Sequence, residues 1–129
     1  MKTLTLILSA ALTLALTVTI SAAEKPSKTK LHHVVAFKFK DGTTKEQIKQ
    51  VEDAFRDLKK KIKEIKGYEW GTNISPEKHD KGFTHGFILT FTSEKDRDIY
   101  LEHADHKAFG KIVGPVLGDV FVIDFWAQE

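Results

Sequence analysis

The segment YLEHADHKAF, residues 100–109, carries three side chains that can transfer protons. Tyr100, His103 and His106 are three residues apart, so on a single helix they would lie along one side. Imidazole titrates near neutral pH, and a phenol can donate a hydrogen bond to a substrate. The spacing predicts a pocket lining, with Tyr100 and His106 turned inward and His103 nearer the rim. The alternative is a surface helix whose histidines face solvent.

Two further histidines share strand faces with phenylalanines. In HHVVAFKFK His33 has the parity of Phe37, and in FTHGFILTF His85 has the parity of Phe87. These faces are predicted to meet the helices over an apolar small-molecule pocket. The residues predicted to converge there are His33, His85, Tyr100 and His106, with Phe37 and Phe87 in its walls. If phenylalanines, Phe109 included, fill that space, the protein is purely structural.

Hydrophobic periodicity supplies the elements that must position these residues. Strands are predicted over 32–40, 68–75, 83–91 and 119–126. Thr43 or Thr44 caps a long helix with one apolar stripe, which is predicted to reach Lys66 and close at Gly67. Ser93 opens a second helix, and another short helix is predicted before Gly114.

The order βαββ(αα)β predicts an α+β, ferredoxin-like fold with a four-stranded antiparallel sheet. In the strand order 4-1-3-2, strands one and three lie at the centre, and the helices cover one face. Strands one and four are apolar on both faces, which indicates a second layer on the open face. A second copy of the sheet would give a homodimeric α/β barrel, buried through residues such as Val34, Ala36, Val120 and Val122, or through their opposite-parity neighbours if the two faces are assigned the other way.

The amino terminus is typical of a secretory signal peptide. Lys2 precedes an apolar run to Ile20, and small residues at Ser21 and Ala23 suit cleavage before Glu24. The predicted organisation is a signal peptide over 1–23, a linker over 24–30 and one domain over 31–129. It implies a secreted or periplasmic protein without stable membrane association after cleavage. An uncleaved membrane anchor is the alternative.

Composition excludes several classes of protein. The net charge is only +2 and lysines alternate with acids, which argues against a nucleic-acid partner. There is no cysteine, so the domain forms no disulfide and carries no lipid-modified cysteine. The histidines lack the tight HxH or HExxH spacing of zinc and copper sites, so no metal or other cofactor is expected.

Five segments together resemble the stress-responsive dimeric A/B barrel (Dabb) domain, over nearly the whole of residues 32–125. They are HHVVAFKFKDGTT, YEWGTNISPE, KGFTHGFILTF, YLEHADHKAF and DVFVIDF. The resemblance implies the ferredoxin-like fold and a homodimer. Many such domains have no assigned chemistry, so the first expectation is an exported homodimer that binds a small, partly apolar ligand in a stress-related or unknown role.

One branch of this family implies an enzyme instead. The segment resembles that of plant polyketide cyclases, which close a ring by an intramolecular aldol step with a histidine base and an assisting tyrosine. By position the base would be His106 and the phenol Tyr100, with His33 and His85 as further pocket histidines. The family often has His-Pro-Ala-His where this chain has His103-Ala104-Asp105-His106.

Overall fold

The computed structural model describes residues 30–128, in which four strands form one sheet and three α-helices cover one of its faces. The strands are β1 (Leu31–Phe39), β2 (Gly67–Thr72), β3 (His85–Phe91) and β4 (Leu117–Trp126). The helices are α1 (Lys45–Lys61), α2 (Glu94–Glu102) and α3 (Ala104–Val113), and a 3-10 turn (Gly114–Val116) leads into β4. The sheet order is β2-β3-β1-β4 with antiparallel neighbours, which confirms the predicted fold.

The predicted signal peptide and most of the predicted linker lie outside the described residues. Within residues 30–128, none of the helices has the length and apolarity needed to cross a bilayer.

The core lies between the sheet and the helices. Alternate residues of β1 and β3 are buried there, His33 and His85 among them, so the predicted helix-facing parity is confirmed. Helix α1 contributes Val51, Phe55 and Leu58 from its predicted apolar stripe. The capping box at its start is also present. The backbone N–H of Gln47 donates to Oγ1 of Thr44 at 3.1 Å, and the backbone N–H of Thr44 donates to Oε1 of Gln47 at 2.9 Å.

Helix α1 ends five residues earlier than predicted. It stops at Lys61, and Ile62 takes an extended backbone conformation while remaining fully buried. Gly67 is therefore not a helix cap; it is the first residue of β2. A Cβ atom there would lie 3.0 Å from Oγ1 of Thr90, so a larger residue at this position would require the Thr90 side chain to shift.

The second helical segment is broken at its centre. His103 has an extended backbone and separates α2 from α3. Its Nδ1 atom accepts a hydrogen bond from the Asp105 amide at 3.1 Å, so the side chain serves as the N-cap of α3. Tyr100 and His106 consequently lie on different helices, and the prediction of one continuous helical stripe is wrong.

The pairing of β4 with β1 changes the set of residues assigned to the open face of the sheet. Val35 pairs with Val122 and Phe37 with Val120, so both β4 valines lie on the helix side of the sheet. The prediction that Val120 and Val122 lie on the open face is wrong. Val34 and Ala36 do lie on that face, where the β4 residues beside them are Phe121, Ile123 and Phe125.

Candidate functional site

A cavity of about 420 Å³ lies between the sheet and helices α2 and α3. Its apolar wall includes a group of phenylalanines: the ring centroids of Phe55 and Phe109 are 4.6 Å apart, and Phe37 stacks against both. The phenylalanines therefore line the space without filling it. The polar side chains of the lining are His33, Tyr100, His106 and Asp124.

His33 is held by an acid on the neighbouring strand. Its Nδ1 atom lies 2.6 Å from Oδ1 of Asp124, the residue directly opposite in the β1–β4 register. A carboxylate only accepts hydrogen bonds, so Nδ1 carries the proton. Nε2 has no hydrogen-bond partner among the described residues, and in the neutral ring it is a proton acceptor.

The Tyr100 ring lies between the two cavity histidines. Its centroid is 5.6 Å from that of His33 and 4.4 Å from that of His106, and the residue is 1% exposed. Burial raises the pKa of the Tyr100 phenol, with smaller contributions from Tyr68 and Asp124. The phenol therefore keeps its proton at neutral pH and is a hydrogen-bond donor for this site.

The position of the proton on His106 is fixed by a backbone carbonyl rather than by an acid. Its Nδ1 atom lies 3.1 Å from the carbonyl oxygen of Leu101, which can only accept, so Nδ1 carries the proton and Nε2 remains an acceptor. Burial lowers the pKa of His106, against the opposing effect of the Leu101 hydrogen bond. His106 is thus a neutral imidazole at neutral pH.

His85 does not join the other three residues, which corrects the predicted convergence. It pairs with Phe37 in the sheet, four residues along β1 from His33, or about 13 Å at strand spacing. Its Nε2 atom lies 3.0 Å from Oε1 of Glu52, and its Nδ1 atom lies 2.8 Å from Oγ1 of Thr84. With both nitrogens engaged, His85 ties α1 to β3.

Only one of the two phenylalanines predicted for the cavity wall lines the cavity. Phe37 lines the cavity, whereas Phe87 is fully buried in the core beyond it, against Phe55 and beside the His85 ring. His103 is partly exposed where α2 and α3 meet, in keeping with its predicted place near the rim.

Sequence reasoning missed Asp124 and the cation that it binds. Arg97 of α2 donates from Nη1 to Oδ2 of Asp124, on the side away from His33. The available signal was an acid between Ile123 and Phe125, at the end of an apolar run that begins at Val120. Among residues 30–128, no three histidine or acidic side chains are grouped closely enough to hold a metal ion.

The fold and this cavity define the class of protein: an α+β, ferredoxin-like domain with a polar cluster in an apolar pocket. The family model of the Stress responsive A/B Barrel Domain (Dabb) matches residues 31–127. The chain therefore belongs to the Dabb family.

Curated relatives include a stress-response protein and an enzyme. The stress-response A/B barrel domain-containing protein HS1 of Arabidopsis thaliana is 33% identical over 99 residues, covering 77% of this chain and 91% of that protein. Olivetolic acid cyclase of Cannabis sativa is 26% identical over 97 residues, covering 75% of this chain and 96% of the cyclase.

Two solved structures extend the comparison. The hydroxynitrile lyase of Passiflora edulis has a TM-score of 0.74 at 26% identity, over 79% of this chain and 96% of the lyase. A dimeric ferredoxin-like protein of unknown function from Thermobifida fusca has a TM-score of 0.67 at 25% identity, over 77% of this chain and 92% of its own.

Proposed function

We propose that the cavity is the active site of an acid–base enzyme, a lyase or cyclase that acts on a small, partly apolar carbonyl compound. One observation carries the proposal: two imidazoles, each with Nδ1 hydrogen-bonded and Nε2 free, flank one protonated phenol in an apolar cavity. One neutral imidazole can remove a proton and later return it, and one protonated phenol can donate a hydrogen bond, so the cluster holds the groups that such a reaction needs.

The chemistry follows from the state of each group. Nε2 of His106 or His33 removes a proton from a carbon next to the substrate carbonyl, and the electron pair moves onto the carbonyl oxygen. The Tyr100 phenol donates a hydrogen bond to that developing oxyanion. The enolate carbon then forms a bond to a second carbonyl carbon, and the imidazolium returns its proton to the new alkoxide. Apolar walls strengthen these interactions because they exclude water.

The two proposed classes of enzyme also occur among the proteins that this chain resembles. One relative is named as a cyclase and one structural neighbour as a lyase, and each covers at least three quarters of this chain. The cavity volume is also suitable, since small-molecule sites occupy roughly 300–1,000 Å³. The relative named for stress response favours a second candidate, a protein that binds such a molecule without converting it.

Hydrogen–deuterium exchange separates the two candidates. The protein is incubated in D₂O with acetylacetone or acetophenone, and NMR follows exchange of the proton next to the carbonyl. With mandelonitrile, Nε2 would remove the hydroxyl proton, the bond to the nitrile carbon would break, and the cyanide would take up that proton, so NMR follows release of benzaldehyde. We expect enzyme-dependent exchange or cleavage that Tyr100→Phe and His106→Asn each reduce about 100-fold or more. Saturable binding with no exchange or cleavage above the rate of heat-denatured protein would support the second candidate and contradict the first.

The proposed assembly is a homodimer formed through the open sheet face. Beside Val34 and Ala36, the open-face residues Phe121, Ile123 and Phe125 are each 45–48% exposed in the single chain. A contiguous apolar sheet face of this kind is typical of a protein–protein interface. The Thermobifida fusca neighbour is described as dimeric. Light scattering at micromolar concentration should give twice the monomer mass; a monomer would contradict the proposal.

Export is proposed from the amino-terminal sequence alone. The Lys2 charge, the apolar run and the small residues at Ser21 and Ala23 favour cleavage before Glu24 and a secreted or periplasmic mature protein. Intact-mass measurement after expression with the full amino terminus should find a chain beginning at Glu24. A product retaining residues 1–23 in the membrane fraction would indicate an anchor instead.

A further inference from the structure

Arg97 connects the protein surface to the cavity through Asp124. Its guanidinium donates from Nη1 to Oδ2 of Asp124 and from Nε to Oδ1 of Asp98 at 2.7 Å. Asp124 therefore binds a permanent cation with one oxygen and His33 with the other. Both acids raise the pKa of Arg97, Asp98 the more and Asp124 the less, but Asp98 is 65% exposed whereas Asp124 is 22% exposed.

The position of Arg97 is not explained by helix α2 itself. It is the fourth residue of a helix that begins after the cap Ser93, where the partial positive charge of the helix amino terminus disfavours a cation. The acids in this turn, Glu94 and Asp96, suit that location, whereas the cations Lys95 and Arg97 do not. The contact with Asp124 gives the arginine a structural reason to be there.

The charge of Arg97 bears directly on the state of His33. An ionised Asp124 alone would favour a doubly protonated imidazole, because a nearby opposite charge stabilises the charged form. Such a ring has no free nitrogen and accepts no proton. The guanidinium offsets the Asp124 charge that His33 faces, while Asp98, the second acid bound to Arg97, is 65% exposed and its charge is screened by solvent.

The other groups around His33 do not replace this effect. Tyr100 faces it from α2 as a protonated phenol, and His106 lies beyond Tyr100 on α3 as a neutral ring. Phe91 faces it from β3 and carries no charge. The charged groups of this cluster are therefore Asp124, the Arg97 bound to it, and the more exposed Asp98 on the other side of the salt bridge with Arg97.

We propose that Arg97 is a positioning residue that keeps His33 neutral, with its proton on Nδ1 and Nε2 open to the cavity. The proposal rests on the proposed function, since only acid–base chemistry in the cavity requires a free acceptor there. It deepens that function by assigning control of one of the two proton acceptors, His33, to a residue outside the cavity.

The test measures the protonation state of the His33 ring directly and needs no substrate. Protein with ¹⁵N-labelled histidine is studied by NMR at pH 7.5, where ring nitrogen shifts distinguish imidazole from imidazolium. Arg97→Met and Arg97→Gln remove the charge, and Arg97→Lys keeps it. Arg56→Met is the matched control, because it removes an exposed arginine–aspartate pair on α1 that does not line the cavity.

We expect the ratio of imidazolium to imidazole at His33 to rise roughly tenfold in each folded neutral variant, as one lost charge interaction would produce. Arg97→Lys and Arg56→Met should stay near the wild-type ratio. Wild-type His33 shifts in a folded Arg97→Met or Arg97→Gln protein would overturn the proposal. An equal change in Arg97→Lys or Arg56→Met would also overturn it.

These outcomes are separable from failure of the proposed function. If the exchange assay finds no activity while His33 responds as expected, the enzyme proposal fails and the electrostatic role of Arg97 stands. If the cavity is active and His33 does not respond, only the role of Arg97 is wrong.

Discussion

His33 and Asp124 face each other across adjacent strands, with Nδ1 of the imidazole 2.6 Å from Oδ1 of the carboxylate. The short contact fixes which nitrogen of His33 carries the proton, and thereby which nitrogen the cavity can use. It also joins β4, the strand with the most exposed apolar residues, to the chemistry of the pocket.

Asp124→Asn should reduce proton exchange about 100-fold or more while leaving the protein folded. An amide can turn its nitrogen toward Nδ1, and His33 would then hold its proton on Nε2, the wrong nitrogen for accepting one. The measurement is the exchange assay together with circular dichroism. Asp119→Asn is the control, because Asp119 is an exposed acid on the same strand that does not line the cavity. Equal activity of the two variants would show that the carboxylate is dispensable.

His85→Ala should weaken the fold and spare the chemistry. The change removes hydrogen bonds to Glu52 and Thr84, and we expect the free energy of unfolding to fall by about 1–3 kcal/mol. Urea denaturation and the exchange assay measure the two quantities. His33→Ala is the comparison, since it should abolish exchange. Loss of exchange in a fully stable His85→Ala protein would place His85 back among the functional residues.

The lowered pKa of His106 predicts a specific pH dependence of stability. The unfolded chain binds a proton at the ordinary value of 6.5, whereas the folded protein does so only at lower pH. The contribution of His106 is therefore complete above pH 6.5 and is lost as the pH falls below it.

Denaturation between pH 5 and pH 8 tests this dependence. His106→Asn can keep the hydrogen bond to Leu101 without titrating, so its free energy of unfolding should fall less steeply on acidification. His79→Asn, at an exposed loop position, should retain the wild-type slope. Parallel curves for the wild type and His106→Asn would contradict the burial argument.

Ile123→Asp should dissociate the proposed dimer. Ile123 lies opposite Val34 on the open face, and burying a carboxylate in an apolar interface costs several kcal/mol. Light scattering should give a monomer over the micromolar range. Ile74→Asp is the matched control, because Ile74 is 93% exposed in the loop after β2 and should leave the dimer intact. Dissociation by both variants, or by neither, would count against this face as the interface.

Much of the fold was predictable because it follows local periodicity. Alternation along β1 and β3 placed His33 and His85 on the helix face, and the capping box at Thr44 set the start of α1. The end of α1 was not predictable in this way. Ile62 and Ile65 continue the apolar spacing of the helix, yet they are buried from the turn that follows it.

The candidate site, too, was only partly predictable from local sequence patterns. The segment YLEHADHKAF by itself determined that a phenol and two imidazoles lie near one another, and alternation determined that His33 faces the same side of the sheet. Only the tertiary structure decided that His103 breaks the helix, that His85 belongs to a separate contact with Glu52, and that Asp124 and Arg97 join the site. The physical reason is register: alternation tells which face a strand residue occupies relative to its own neighbours, whereas the pairing of β1 with β4 depends on packing across the whole sheet.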